Sequence, residues 1–392
     1  MSPLTRRSFL ASLTVAPSAL RAFVLDPPVV RSTLFIGTYT EGVIAGSRGI
    51  YASRWTPEDG SLTDPVLAAA TQNPSFLAIS PRSKQSRRTL YAVNEIGNFA
   101  GTHDGSVTPF RIDEHTGELK AGQEVDSGGS GPCHITLDHT GGSLFVANYD
   151  SGSVASFLVR EGALSAAVSK FKFSGHGVDP KRQESPHTHG VTVSPGNEYL
   201  LVNDLGLDRI MIFHLQAATA KLTPNSVQPY FSAKPGAGPR HGTFHPMGKW
   251  FYSLNEMHST IDQLEWDEHA GTLKWISTTP TLPPEFAVEH NTAAEVVIDG
   301  EGRFLYASNR GHDSMAVFSI DGRTGTLTLV ERHSSGGKAP RHFAIDPSGD
   351  WVLVANQETN NIVVFKRDRS SGMLKDTGKL YKVDRPVCLV FA

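Results

Sequence analysis

Cysteine is nearly absent from this chain: 392 residues carry two, Cys133 and Cys388. That scarcity excludes a disulfide-built scaffold, and two free, buried thiols are expected. A Cys-x-x-Cys-His haem attachment is missing, and so is the Gly-x-Ser-x-Gly elbow of a nucleophile-based esterase. No apolar run reaches the roughly 18 residues of a membrane helix, so no membrane partner is expected. Neither charge sign dominates: 36 Lys and Arg against 39 Asp and Glu give a net charge of -3. Without a basic stripe, a nucleic-acid partner is not expected either. Linkers, charge runs and low-complexity stretches are also lacking, so nothing divides the chain after its first segment.

What the chain has is a repeat. An opening Pro or Ala leads an apolar strand, a turn, and a second apolar strand ending in Asn. The copies run Pro132 to Asn148, Pro186 to Asn203, Pro239 to Asn255, Ala293 to Asn309 and Pro340 to Asn356, with a looser one from Pro74 to Asn94. Turn sequences such as Asp346-Pro-Ser-Gly349 separate the two strands, Pro presetting φ and Gly accepting positive φ. Further turns, such as Asp321-Gly-Arg-Thr-Gly325, would join third strands to fourth strands. A seventh opening, Pro386-Val-Cys-Leu-Val-Phe391, has no second strand after it; Thr33-Leu-Phe-Ile-Gly-Thr38 supplies one. The expectation is one all-β domain over residues 30–392. It is a seven-bladed β-propeller of four-stranded antiparallel blades, closed by the C-terminal strand joining the N-terminal ones.

Residues 1–22 read differently. Thr5-Arg-Arg-Ser-Phe-Leu10 precedes a modest apolar stretch to Leu20, the pattern of a twin-arginine export signal. Cleavage near Ser18 or Ala22 and a periplasmic or secreted protein are expected.

In a propeller, the start of each inner strand and the end of each second strand meet at one end of the axis. Counting 14 residues back from each Asn gives His134, His189, His241, Glu295 and His342. A repeated polar position is explained by satisfying backbone groups at the crowded inner end, so scaffold and site readings both stand. Function should show where the repeat is broken. The residue before that position is Cys133, Thr188, Arg240, Ala294 or Arg341; the residue after the Asn is Glu95, Tyr149, Asp204, Glu256, Arg310 or Gln357. Arginines suit bidentate binding of carboxylate or phosphate, and Glu256 stands beside them as a base. A buried salt-bridge network would leave the same trace. Two long loops, 171–185 and 278–291, lead into inner strands and would overhang the same mouth. His187, His189 and Glu256 have the atoms to bind a metal, but no recognised ligand spacing is present and arginines would repel the ion; no metal or cofactor is expected.

With these segments in view, the chain resembles the lactonase family of seven-bladed propellers, which includes propeller-type 6-phosphogluconolactonases and carboxymuconate lactonising enzymes. The resemblance rests on Ser185-Pro-His-Thr-His-Gly190, Asn203-Asp-Leu-Gly-Leu-Asp-Arg209, Gly238-Pro-Arg-His241, Leu254-Asn-Glu256, Asn291-Thr-Ala-Ala-Glu295, Ser308-Asn-Arg-Gly-His-Asp-Ser314 and Ala339-Pro-Arg-His342. It implies a catalytic set of Glu256, His189, Arg240 and Arg310, and places Arg341 and Gln357 in matching motifs; these two, with His241 and His134 from the repeated position, are the substrate-binding candidates. It points to hydrolysis of a small anionic lactone of sugar-acid type by general acid–base chemistry, and a monomer is expected. The same parts would serve a carboxymuconate-type cyclisation, and a non-catalytic binding propeller is the alternative of another class. An export signal sits poorly with a phosphorylated lactone of central metabolism.

Overall fold

The computed structural model describes residues 32–41, 46–82 and 88–392. The proposed export segment lies outside them. The described chain is almost wholly β, with two short 3₁₀ turns at Phe99–Gly101 and Val288–His290.

Seven antiparallel sheets follow one another, each ordered from an inner strand outward. Blades are numbered here from the N-terminus. Blade 1 closes the ring: its inner strand is Pro386–Phe391, paired antiparallel to Ser32–Thr38, with Gly37 opposite Cys388. The inner strands of blades 2 to 7 are Phe76–Ile79, Pro132–Leu137, Thr188–Val193, Pro239–Phe244, Thr292–Ile298 and Pro340–Ile345. Pairing the chain's two end segments in one sheet completes the seventh blade and so closes the ring.

The second strands are apolar on both faces, because each lies inside its blade with a neighbouring blade on either side. Leu144, Phe145, Val146 and Ala147 are all fully buried. Seven apolar clusters result, each shared by two adjacent blades: Tyr252, Leu254 and Phe318 between blades 5 and 6, for example, and Trp55, Trp351 and Leu353 between blades 1 and 7. Tyrosines on second strands extend this packing outward. The Tyr252 hydroxyl donates to the Gly325 carbonyl of the next blade (2.6 Å), and Tyr306 to Gly372 (2.7 Å).

The repeated asparagines are scaffold. Asn94, Asn148 and Asn356 donate to the carbonyls of Gln72, Ser127 and Ser335, tying each second strand to the chain that enters its own blade. Both cysteines are free and buried.

Candidate functional site

The site is made by a recurring irregularity. In blades 3, 5 and 7 the inner strand bulges between the opening Pro and the following His, so that Cys133, Arg240 and Arg341 have no partner in the ladder. A bulge re-aims the side chain it carries. Here it turns these residues to the mouth and leaves His134, His241 and His342 one step deeper.

Blade 4 departs from this. Its ladder begins one pair further out, at Thr188 opposite Asp204, and the bulged residue is His189 itself. Counting from Asn203 groups His189 with the deeper histidines, whereas the register lifts it to the mouth. Gly190 makes the shift sterically possible: a Cβ there would lie 2.5 Å from the Arg240 carbonyl of blade 5. Blade 6 also pairs one residue further out, with Thr292 opposite Arg310, which holds Arg310 in the ladder at the rim.

The resulting cavity, of about 330 Å³, is lined by Tyr39, Glu95, Cys133, Tyr149, Arg182, His189, Glu256, Thr292, Arg310 and Arg341. Glu256 sits at its centre and is 4% exposed. Oε1 is 2.6 Å from Arg182 Nη2. Oε2 is 3.0 Å from both Arg240 Nε and Arg310 Nη2, and 3.9 Å from His189 Nε2. Arg240 Nε lies close to the carboxylate but out of line for a hydrogen bond, so the contact is ionic. Arg240 also donates to the Ala294 carbonyl, and Arg310 is 3.3 Å from both the Thr292 and Ala293 carbonyls.

Electrostatics follow from this crowding. Burial would raise the Glu256 pKa, but Arg310, Arg240 and Arg182 outweigh it and hold the carboxyl at about 2. Glu256 is therefore a carboxylate at all ordinary pH and a weak base in the empty site. Burial, reinforced by Arg240, drives His189 well below the usual imidazole range, so its ring is neutral at pH 7. Burial lowers Arg310 to about 10, still a cation. Arg341 differs from the other arginines. It lies 5.2 Å from the Tyr39 ring centroid and, among the described residues, pairs with no carboxylate. Tyr39 donates to both oxygens of Glu95, at 3.0 and 2.9 Å. Cys133 Sγ is 3.7 Å from His189 Nδ1, and burial pushes its thiol up, so it is no thiolate nucleophile.

Glu256, His189, Arg240, Arg310 and Arg341 thus come together as their positions in the repeat suggest. His134, His241 and Gln357 do not line the cavity. His134 stacks on Phe76, ring centroids 4.2 Å apart, and accepts from the Val191 amide at 3.3 Å. His241 Nδ1 is held 2.9 Å from Glu295 Oε2. Gln357 donates its backbone amide to the Ala339 carbonyl at 3.0 Å, extending the pairing of Pro340 with Asn356. These three belong to the supporting structure beneath and beside the cavity. His187, weighed as a metal ligand, has both ring nitrogens occupied, Nδ1 at the Tyr149 carbonyl and Nε2 at Glu184 (3.1 Å each).

The residue that sequence reasoning missed is Arg182. It arrives on the loop after strand Ser169–Lys172, which is built to present it. Asp179 Oδ1 accepts the Lys181 and Arg182 amides, while buried Gln183 accepts from the Val178 and Asp179 amides and donates to the Leu205 carbonyl. The other long loop supplies no cavity side chain; Thr281 and Asn291 instead bind Asn309 and Ser259 within the scaffold. Tyr39 was legible in principle, since it follows Thr38 as Glu256 follows Asn255.

Comparison with known proteins agrees with this fold. Residues 33–391 match the family model described as lactonase, 7-bladed β-propeller. The chain belongs to that lactonase family. It is 35% identical over 358 residues to a Bacillus subtilis protein named 6-phosphogluconolactonase, an alignment covering 91% of this chain and 97% of the relative. A Formosa agariphila protein of the same name is 35% identical, over 87% of this chain and 94% of its own length. Among solved structures, the Pseudomonas aeruginosa periplasmic gluconolactonase superposes with a TM-score of 0.83 at 34% identity, covering 92% of this chain and 99% of that one. No helix among the described residues is long and apolar enough to cross a membrane.

Proposed function

We propose that this member of the lactonase family hydrolyses an anionic, sugar-acid type lactone in the axial cavity. The observation that carries the reading is a neutral histidine facing one carboxylate, with guanidiniums of Arg182, Arg240, Arg310 and Arg341 around them. Four cations against Glu95 and Glu256 leave a surplus of positive charge for a substrate anion and for the oxyanion that hydrolysis creates.

In the proposed mechanism His189 Nε2 takes a proton from water as its oxygen attacks the lactone carbonyl. Base catalysis of this kind contributes about 10² to 10⁴-fold. Glu256, already ionised, stabilises the imidazolium. Arg310 and Arg341 receive the developing oxyanion and the substrate's anionic group, each such donor contributing about 3 kcal/mol. The tetrahedral intermediate collapses by breaking the ring C–O bond, and the imidazolium returns its proton to the leaving alkoxide. Cys133 stays a thiol throughout.

The test is base consumption in a pH-stat against a panel of neutral and carboxylated sugar-acid lactones and a muconolactone. Turnover is expected, with label from H₂¹⁸O entering the product carboxylate alone. A folded protein that turns over nothing in the panel would overturn the reading in favour of a binding propeller.

Export through the twin-arginine signal is part of the same proposal. The name of the Pseudomonas aeruginosa periplasmic gluconolactonase supports it. Replacing Arg6 and Arg7 with lysine should abolish delivery of the folded protein, and unchanged delivery would refute it.

A further inference from the structure

Glu256 has no uncovered oxygen, yet its three arginines are not held alike. Arg240 is strand-borne, 2% exposed, and bonded to the Ala294 carbonyl. Arg310 is strand-borne and lies against two backbone carbonyls. Arg182 extends from a loop, and its side chain is 39% exposed. Among the described residues its guanidinium donates to no backbone carbonyl; it holds Glu256 Oε1 and lies beside the Tyr149 phenol. The loop backbone, by contrast, is fixed by Asp179 and Gln183. The part without a backbone anchor is the Arg182 side chain, and it lines the cavity that a ligand must enter.

We infer that Arg182 reads the charge of the substrate: in the empty site it caps Glu256, and an anionic group on the substrate draws it away and uncovers Oε1. The inference rests on the hydrolytic reading and deepens it. Exchanging one charge-assisted pair for another costs little. A neutral lactone offers no such exchange, and leaving a charged partner unpaired is expensive. Once Arg182 has turned to the substrate, Glu256 faces two cations in place of three and supports an imidazolium at His189 more strongly. Substrate charge is then converted into rate as well as affinity, so discrimination falls on kcat in addition to KM.

The experiment compares kcat and KM for a carboxylated lactone and a neutral lactone of the same ring, in the full-length protein and in R182A, R182K and R182Q. K181A, at the exposed neighbouring position, is the control. The anionic-to-neutral ratio of kcat/KM should fall at least tenfold in R182A and R182Q. R182K should lie between these and the parent, and K181A should match the parent. Calorimetric binding of gluconate and of the uncharged polyol sorbitol is measured in parallel. Gluconate affinity should drop in R182A with sorbitol unaffected. Weaker gluconate binding in a protein that hydrolyses no lactone would keep the charge-reading role and sink the hydrolytic reading. Unchanged selectivity together with unchanged gluconate affinity would overturn the role of Arg182. R182Q, with a shorter neutral donor for Glu256, separates a folding defect from lost recognition.

Discussion

Replacing Glu256 by Gln should destabilise the whole protein, against the common experience that removing an active-site charge stabilises it. The reason is that Glu256 is the shared counter-ion of three guanidiniums. Its carboxyl stands at about 2 against an ordinary 4.5, and at 1.36 kcal/mol per unit this is on the order of 3 kcal/mol favouring the ionised folded state. A carboxyl with a depressed folded pKa contributes that stability in full above about pH 4.5 and loses it as pH falls toward 2. E256Q forfeits it wherever the wild-type carboxylate supplies it and leaves Arg182, Arg240 and Arg310 repelling one another. At roughly 2 °C or less per kcal/mol for a domain of this size, Tm should fall by about 5 °C at pH 7. The gap should narrow on acidification and on adding gluconate or phosphate, which substitute for the lost carboxylate. A melting series across pH 3 to 8 measures this. An E256Q protein with equal or higher Tm at pH 7, or one insensitive to added anions, would refute the counter-ion argument.

Other consequences can be checked alongside. Asp204 is buried, with Oδ2 unpartnered, and burial raises its carboxyl to about 6 from 3.8; the cost is present in full above pH 6 and relieved as pH falls toward 4. D204N should therefore raise the unfolding free energy at pH 7.5 by on the order of 1–3 kcal/mol, with the gain shrinking at pH 4.5; denaturant titrations at both pH values check it. G190A places a Cβ against the Arg240 carbonyl and should cost at least ~1–3 kcal/mol of stability, with kcat falling as Arg240 shifts; melting and kinetics on one preparation test both. R341A removes a guanidinium that has no carboxylate partner, so KM for an anionic lactone should rise about 10- to 100-fold, corresponding to ~1.5–3 kcal/mol, with Tm within about 1 °C of the parent.

The ring and its closure could be read from the chain because repetition exposes them. Each blade repeats the same buried second strand and the same Asn, and Pro386–Phe391 needed a partner that Ser32–Thr38 supplied. The mouth was legible where residues break the repeat, as Glu256, Arg240, Arg310 and Arg341 do. Depth was harder to read. His134, His189 and His241 occupy one position by counting, and only a one-pair difference in where the bulge falls separates the cavity histidine from the two below it. A one-residue bulge changes which way a side chain is aimed, and equal spacing along the chain does not say at which residue it falls. Arg182 was illegible for another reason. It lies in no repeat, and its place over Glu256 follows from Asp179 and Gln183 folding the loop upon itself.

The most direct test of the account is the turnover of His189→Ala on whichever lactone the protein hydrolyses fastest. Loss of the proton acceptor should lower kcat by at least about 100-fold, while Tm and gluconate affinity remain near those of the parent. A His189→Ala protein with undiminished kcat would place the chemistry elsewhere in the propeller and contradict the account.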